Sequence, residues 1–293
     1  MPRVMGISRI LFYFLAVPGI TFAINNLVAK KEKEISSQEV LRGGLYAFYS
    51  GEYREAKEKF DQYIEREPDD PVGFLRDFHA RFLLLRLEQK SKDAPKTEDN
   101  RKEYQHLSYL VSAGISKAED KIEVAEKSGD AKSKDFYLYV QAYLYLAKAG
   151  VEWGNGHPLD ACSSTKTALE IAGRSGYEDA RYLEGMVNYL GGTRSWAVRS
   201  LILAPMGIPH DRDNGLRLIC ESLRGNNGPY AEDIRFMIFA ILTDKRMKEK
   251  DRRSDEAICR SVLPDISAEE LCRELGDKYP NNKTTVVCRK TKQ

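Results

Sequence analysis

The sequence predicts an all-α protein, a right-handed array of helical repeats, on three observations. In residues 44–68 a turn at Gly51 and Tyr53 is followed by Ala56, Phe60 and Ile64, spaced four apart on one helix face, and Pro68 stops the helix. The positions Gly44, Gly51, Ala56, Phe60 and Pro68 are separated by 7, 5, 4 and 8 residues, and Gly185, Gly192, Ala197, Leu201 and Pro209 repeat that spacing. Between the two segments the apolar residues keep a helical period, and 293 residues are enough to bury a large core.

The first 31 residues stand apart. Arg3 and Arg9 precede an apolar run from Ile10 to Ala23, and Thr21-Phe22-Ala23 forms a small-x-small site, as in a secretory signal peptide. Uncharged sequence continues to Ala29, and Lys30, Lys31 and Lys33 follow, which suits an uncleaved membrane anchor equally well. Both readings take the chain to a membrane system, with the envelope or periplasm as the expected location. The division is then 1–31 as signal or anchor, 32–282 as the helical domain, and 283–293 as a tail.

Residues 37–70 resemble one tetratricopeptide repeat (TPR), a 34-residue helix–turn–helix unit. Gly44 sits where the second helix crosses the first, Gly51 closes the turn, Ala56 and Phe60 interlock with the first helix, and Pro68 ends the unit. The first helix departs from the pattern, with Val40, Gly43 and Ala47 at the Trp, Leu and Tyr positions. Residues 178–209 read as a second such unit, in which Pro205 should end the second helix near Ala204.

The remaining elements follow in order. Asp70 and Pro71 cap a helix carrying Phe74, Phe78, Phe82 and Leu85. Residues 88–103 read as a charged loop, and a long amphipathic helix follows over 104–127. Residues 136–151 form a helix dense in Tyr and Ala, apolar nearly all round and so central; Gln141, Lys148 and its short length argue against a membrane span. Pro158 opens a helix through Ala161, Thr165, Ala168 and Ile171. After Pro209, Asp211 caps a helix bearing Leu216, Ile219, Cys220 and Leu223; residues 230–242 pair with it, and 255–263 with 268–275 make a last hairpin. Tyr279-Pro280-Asn281-Asn282 resembles the close that follows the last helix in TPR proteins.

Composition limits the function classes. Forty-six basic against 44 acidic residues is too balanced for a typical nucleic-acid binder. The five cysteines, at 162, 220, 259, 272 and 288, match no zinc spacing; they read as buried hydrophobes or as disulfides, with Cys259 and Cys272 the first pair to test. The four histidines form no ligand motif, and His210-Asp211-Arg212-Asp213 reads as a helix cap in a solvated loop. Gly191-Gly192-Thr193-Arg194 lacks P-loop spacing, and Ser163-Ser164-Thr165 lacks a nucleophile elbow. No cofactor or metal is expected, and the chain reads as non-catalytic.

The TPR resemblance implies ligand contact along the concave face, lined by first helices. That places the expected partner-binding residues at Leu41, Leu45, Phe48, Tyr49, Leu75, His79 and Phe82. The Lys, Arg and Asn residues that clamp a peptide carboxylate in some TPR domains are missing there, so this groove is apolar. It either takes a hydrophobic helix or peptide of an unidentified protein partner, or is filled by the chain's own helices, which the long helix after Tyr104 favours. The first function expected is an interaction or assembly scaffold at a membrane. Two alternatives remain: a small-molecule or lipid carrier with a cavity beside the Tyr-rich helix, and an enzyme without a recognisable motif.

Overall fold

Ser36 starts the first helix with a reciprocal cap. Its hydroxyl accepts the Glu39 N–H at 3.2 Å, and the Glu39 carboxylate accepts the Ser36 N–H at 2.9 Å. The structure, a computed structural model, describes residues 36–89, 97–224, 228–244 and 249–282. The expected signal or anchor 1–31, the tail 283–293 with its Cys288, and much of the charged loop lie outside the described residues.

From that cap run α1 (Ser37–Tyr49) and α2 (Tyr53–Arg66). Gly51 turns between them at φ +80°, a conformation that suits glycine. A Cβ on Gly44 would lie 2.5 Å from the Phe60 ring, so the close crossing requires glycine there. Asp70 then accepts the Val72 N–H at 3.0 Å to open α3 (Pro71–Glu88). Next come α4 (Thr97–Ser128), α5 (Ala131–Gly154) and α6 (Pro158–Arg174), and each helix from α1 to α6 packs on the next. The start of α4 lies seven residues before the expected Tyr104. The charged residues after Thr97 lack a helix breaker, and charge alone does not end a helix.

The second half runs through α7 (Ala180–Gly192), the single turn α8 (Trp196–Val198), a π-helical turn (Arg199–Leu203), α9 (Arg212–Leu223), α10 (Ala231–Leu242), α11 (Glu249–Val262) and α12 (Ala268–Lys278). The helix ends at Ala204, ahead of Pro205, as the proline dictates. The matched spacing at 185–209, however, does not produce the packing of 44–68. A Cβ on Gly185 would meet Ile219 Cγ1 at 2.9 Å and the Gly215 carbonyl at 3.0 Å, so α7 crosses α9, while Leu201 stands 72% exposed. With only short helical turns before Pro205, the segment 196–203 cannot supply a second helix long enough to cover α7, and α9 does so.

A disulfide joins Cys220 on α9 to Cys259 on α11, which corrects the Cys259–Cys272 pairing tried first; Cys272 is also disulfide-bonded, and Cys162 is free and buried. In the chain-entropy view, cross-linking a loop of this length stabilises by about 4 kcal/mol.

The array returns on itself. The Tyr49 ring stacks on Phe236 of α10 at 5.2 Å, and its hydroxyl donates to Asp233 Oδ1 at 2.6 Å. Arg76 of α3 donates to the same carboxylate at 2.7 Å, and both members of that ion pair are buried. Asn282 Nδ2 donates to the Tyr49 carbonyl at 2.6 Å, so the Tyr-Pro-Asn-Asn close ties the end of the array to its first hairpin. Burial alone would discourage the Arg76 charge; Asp233 and the neighbouring tyrosines outweigh it and hold its pKa well above the ordinary arginine value. Burial, then the Asp233 charge, likewise holds the Tyr49 hydroxyl protonated far above its usual range. Removing one partner of such a pair costs roughly 3–5 kcal/mol, because it leaves a charge buried alone.

The described residues are helical with turns between, an all-α array. Among them no helix is long and apolar enough to cross a membrane.

Candidate apolar ligand site

Small side chains open a space beside the Tyr-rich helix. On α5, Ala147, Ala149 and Gly150 stand where larger side chains would fill the layer, and a Cβ built on Gly150 meets no atom within 4 Å. Ala161 at the start of α6 adds to the gap, and Gly191 at the end of α7 lines it. The result is a cavity of 310 Å³, within the roughly 300–1,000 Å³ of small-molecule sites. Phe78, His79 and Phe82 of α3 form one wall, and Tyr143, Leu146 and Trp153 of α5 a second. Cys162 and Thr165 of α6 and Met186, Val187 and Leu190 of α7 oppose them, with Leu203 of the π-helical turn and Ile208 closing one side.

The polar groups of the wall are few. The Thr165 hydroxyl donates to the Ala161 carbonyl at 2.7 Å. The Tyr143 ring, buried, meets the Tyr182 ring edge-on with centroids 6.3 Å apart. The His79 ring lies 4.9 Å from that of Tyr143; burial, reinforced by the Arg76 charge and only partly countered by Asp233, lowers its pKa to about 4, so it is neutral at pH 7. Burial pushes the Cys162 thiol above its ordinary pKa, which keeps it protonated and weakly nucleophilic. Arg194 lies at the rim, exposed, with its guanidinium 4.8 Å from the Trp153 ring centre. Among the described residues that line the cavity none is acidic, and Arg194 carries the charge.

The seven expected partner-binding residues divide into three groups. Leu41, Leu45 and Phe48 are partly buried against the small core of Ala47, Ala56, Phe60 and Ala80 in the first hairpins. Tyr49 and Leu75 are buried in the main core, which leaves no open partner groove at either. His79 and Phe82 line the cavity. At Tyr49 the cover comes from Phe236 of α10 and from Tyr279. The Tyr-rich face is internal as well: Tyr139 and Tyr143 are buried and pack edge-on or tilted against Tyr177, Tyr182 and Tyr230.

The rejected motifs are structural. Asp211 caps α9 by accepting the Asn214 N–H at 3.0 Å, and Arg212 pairs with buried Asp255. Gly191 to Arg194 lies at the C-terminal end of α7, where carbonyls rather than N–H groups point outward, the wrong polarity for a phosphate. Among the described residues no group of three or more His, Cys, Asp or Glu is placed to hold a metal ion.

Arg194 and Cys162 were named in the sequence only within a rejected loop and among the cysteines, and Trp153 and Val187 were not expected at a site. The run of Ala and Gly along the buried helix 136–151 was the available sign of space. Comparison with protein-family models, with curated proteins and with solved structures returns no match.

Proposed function

We propose that this chain is a binding protein of TPR-like build that carries a small apolar molecule in the cavity between α3, α5, α6 and α7. The observation that carries this reading is the 310 Å³ apolar space at the side of the Tyr-rich helix, walled by residues that bury themselves elsewhere along the same helices. Each methylene moved from water into such a space contributes about 0.8 kcal/mol. The disulfides support an exported setting, where thiols oxidise, and fit an N-terminal signal or anchor that delivers the chain to an envelope compartment.

An interaction scaffold for a protein partner is the second reading, and one observation favours it. Leu190, Trp196 and Leu201 are 47%, 72% and 72% exposed within a single short stretch. That stretch, and not the self-covered Leu41–Tyr49 face, is where a partner helix would find apolar side chains.

The test is titration with N-phenyl-1-naphthylamine, a neutral fluorescent apolar probe. Wild type should bind one equivalent saturably, and Ala147→Leu and Val187→Phe, which fill the space, should abolish binding without lowering the thermal midpoint. Equal probe binding by wild type and by both well-folded filling variants contradicts the carrier reading.

A further inference from the structure

The cavity also indicates the chemistry of its ligand. We propose that it holds an anionic single-chain amphiphile, a long-chain carboxylate, with the chain between α5, α6 and α7 and the head group on Arg194. This rests on the carrier reading above and adds the head-group assignment.

Three features point to this class. First, the interior offers a carboxylate no positive charge. The Thr165 hydroxyl donates to the Ala161 carbonyl, and His79, set among aromatic rings, is neutral, so the described residues place no cation inside. A carboxylate left there would lose its hydration with no positive charge to offset the loss, so its place is the rim. Second, the rim has one charge, and it is positive. Arg194 is exposed, its guanidinium stacks on Trp153, and among the described residues it makes no ion pair. Held over the ring, the guanidinium keeps N–H groups that can take a carboxylate by two parallel hydrogen bonds. Third, among the described residues none that lines the cavity is acidic and able to repel an anion, whereas a cationic amphiphile would place its head against Arg194. The volume lies at the small end of ligand sites, which suits one chain rather than two.

The experiment is displacement of N-phenyl-1-naphthylamine by dodecanoate, methyl dodecanoate and dodecyltrimethylammonium, each below its micelle concentration, on wild type and Arg194→Gln. Dodecanoate should displace the probe about tenfold more effectively than the ester or the cation. Arg194→Gln should erase that preference and leave the ester unchanged. Along a series of carboxylates, affinity should rise about fourfold per added methylene until the cavity is full. If ester and carboxylate bind equally, or if Arg194→Gln binds carboxylate as wild type does, the head-group assignment is overturned and the carrier reading stands. If neither the probe nor any amphiphile binds, both fall.

Discussion

His79 shows how one side chain couples burial to pH. Its folded-state pKa of about 4 lies below the ordinary 6.5, so between those values the unfolded chain binds a proton that the folded chain does not. The stabilisation is complete above about pH 6.5 and is lost as the pH falls toward 4, by up to about 3 kcal/mol. Asp77 on the same helix acts in the opposite sense. Burial pushes its carboxyl up to about 7 against the pull of Arg81, so its contribution weakens as pH rises. The difference between wild type and His79→Phe isolates the first effect: urea denaturation from pH 4.5 to 7 should show the variant gaining stability relative to wild type toward acid, and parallel curves would contradict it. The sequence placed His79 correctly on an inner helix face, but as a partner contact. That it borders a cavity depends on α5 and α6, which are distant in the chain. Tyr49 was misplaced for a similar reason, since its cover, Phe236 and Asp233, comes from α10.

At the scale of elements, glycine decides which helices touch. At the crossing of α7 and α9, a Cβ on Gly215 would sit 2.3 Å from the Tyr189 backbone nitrogen and 2.8 Å from the Gly185 carbonyl. Because these neighbours are backbone, side-chain rotation cannot relieve the clash. Gly215→Ala should therefore destabilise by at least the roughly 1–3 kcal/mol typical of overpacking, measured by chemical denaturation, whereas Gly150→Ala, which faces open space, should not destabilise at all. The first hairpin was legible because Gly44, Ala56 and Phe60 lie within one continuous unit and local spacing specifies their contact. The unit at 185–209 was not. Its spacing repeats, but the residues that cover Gly185 come from α9, and spacing within one segment carries no information about a competing helix. Several helix ends were legible, since the caps Asp70 and Asp211 and the breakers Pro68 and Pro205 act locally.

At the scale of the molecule, the array is closed by contacts 184 and 233 residues apart in sequence, Tyr49 to Asp233 and Asn282 to Tyr49. These contacts cover Tyr49, and the carrier reading puts the ligand instead in the cavity beside α5. The cavity also has its own reporter: Cys162, the free cysteine among the described residues, lies on its wall. The rate at which methyl methanethiosulfonate, a small neutral reagent, modifies Cys162 therefore measures occupancy directly. With the neutral probe at about 100 times its Kd the rate should fall by up to about a hundredfold, because only the unoccupied fraction reacts. A rate unchanged by saturating ligand would place any binding elsewhere and contradict the assignment of this cavity as the site.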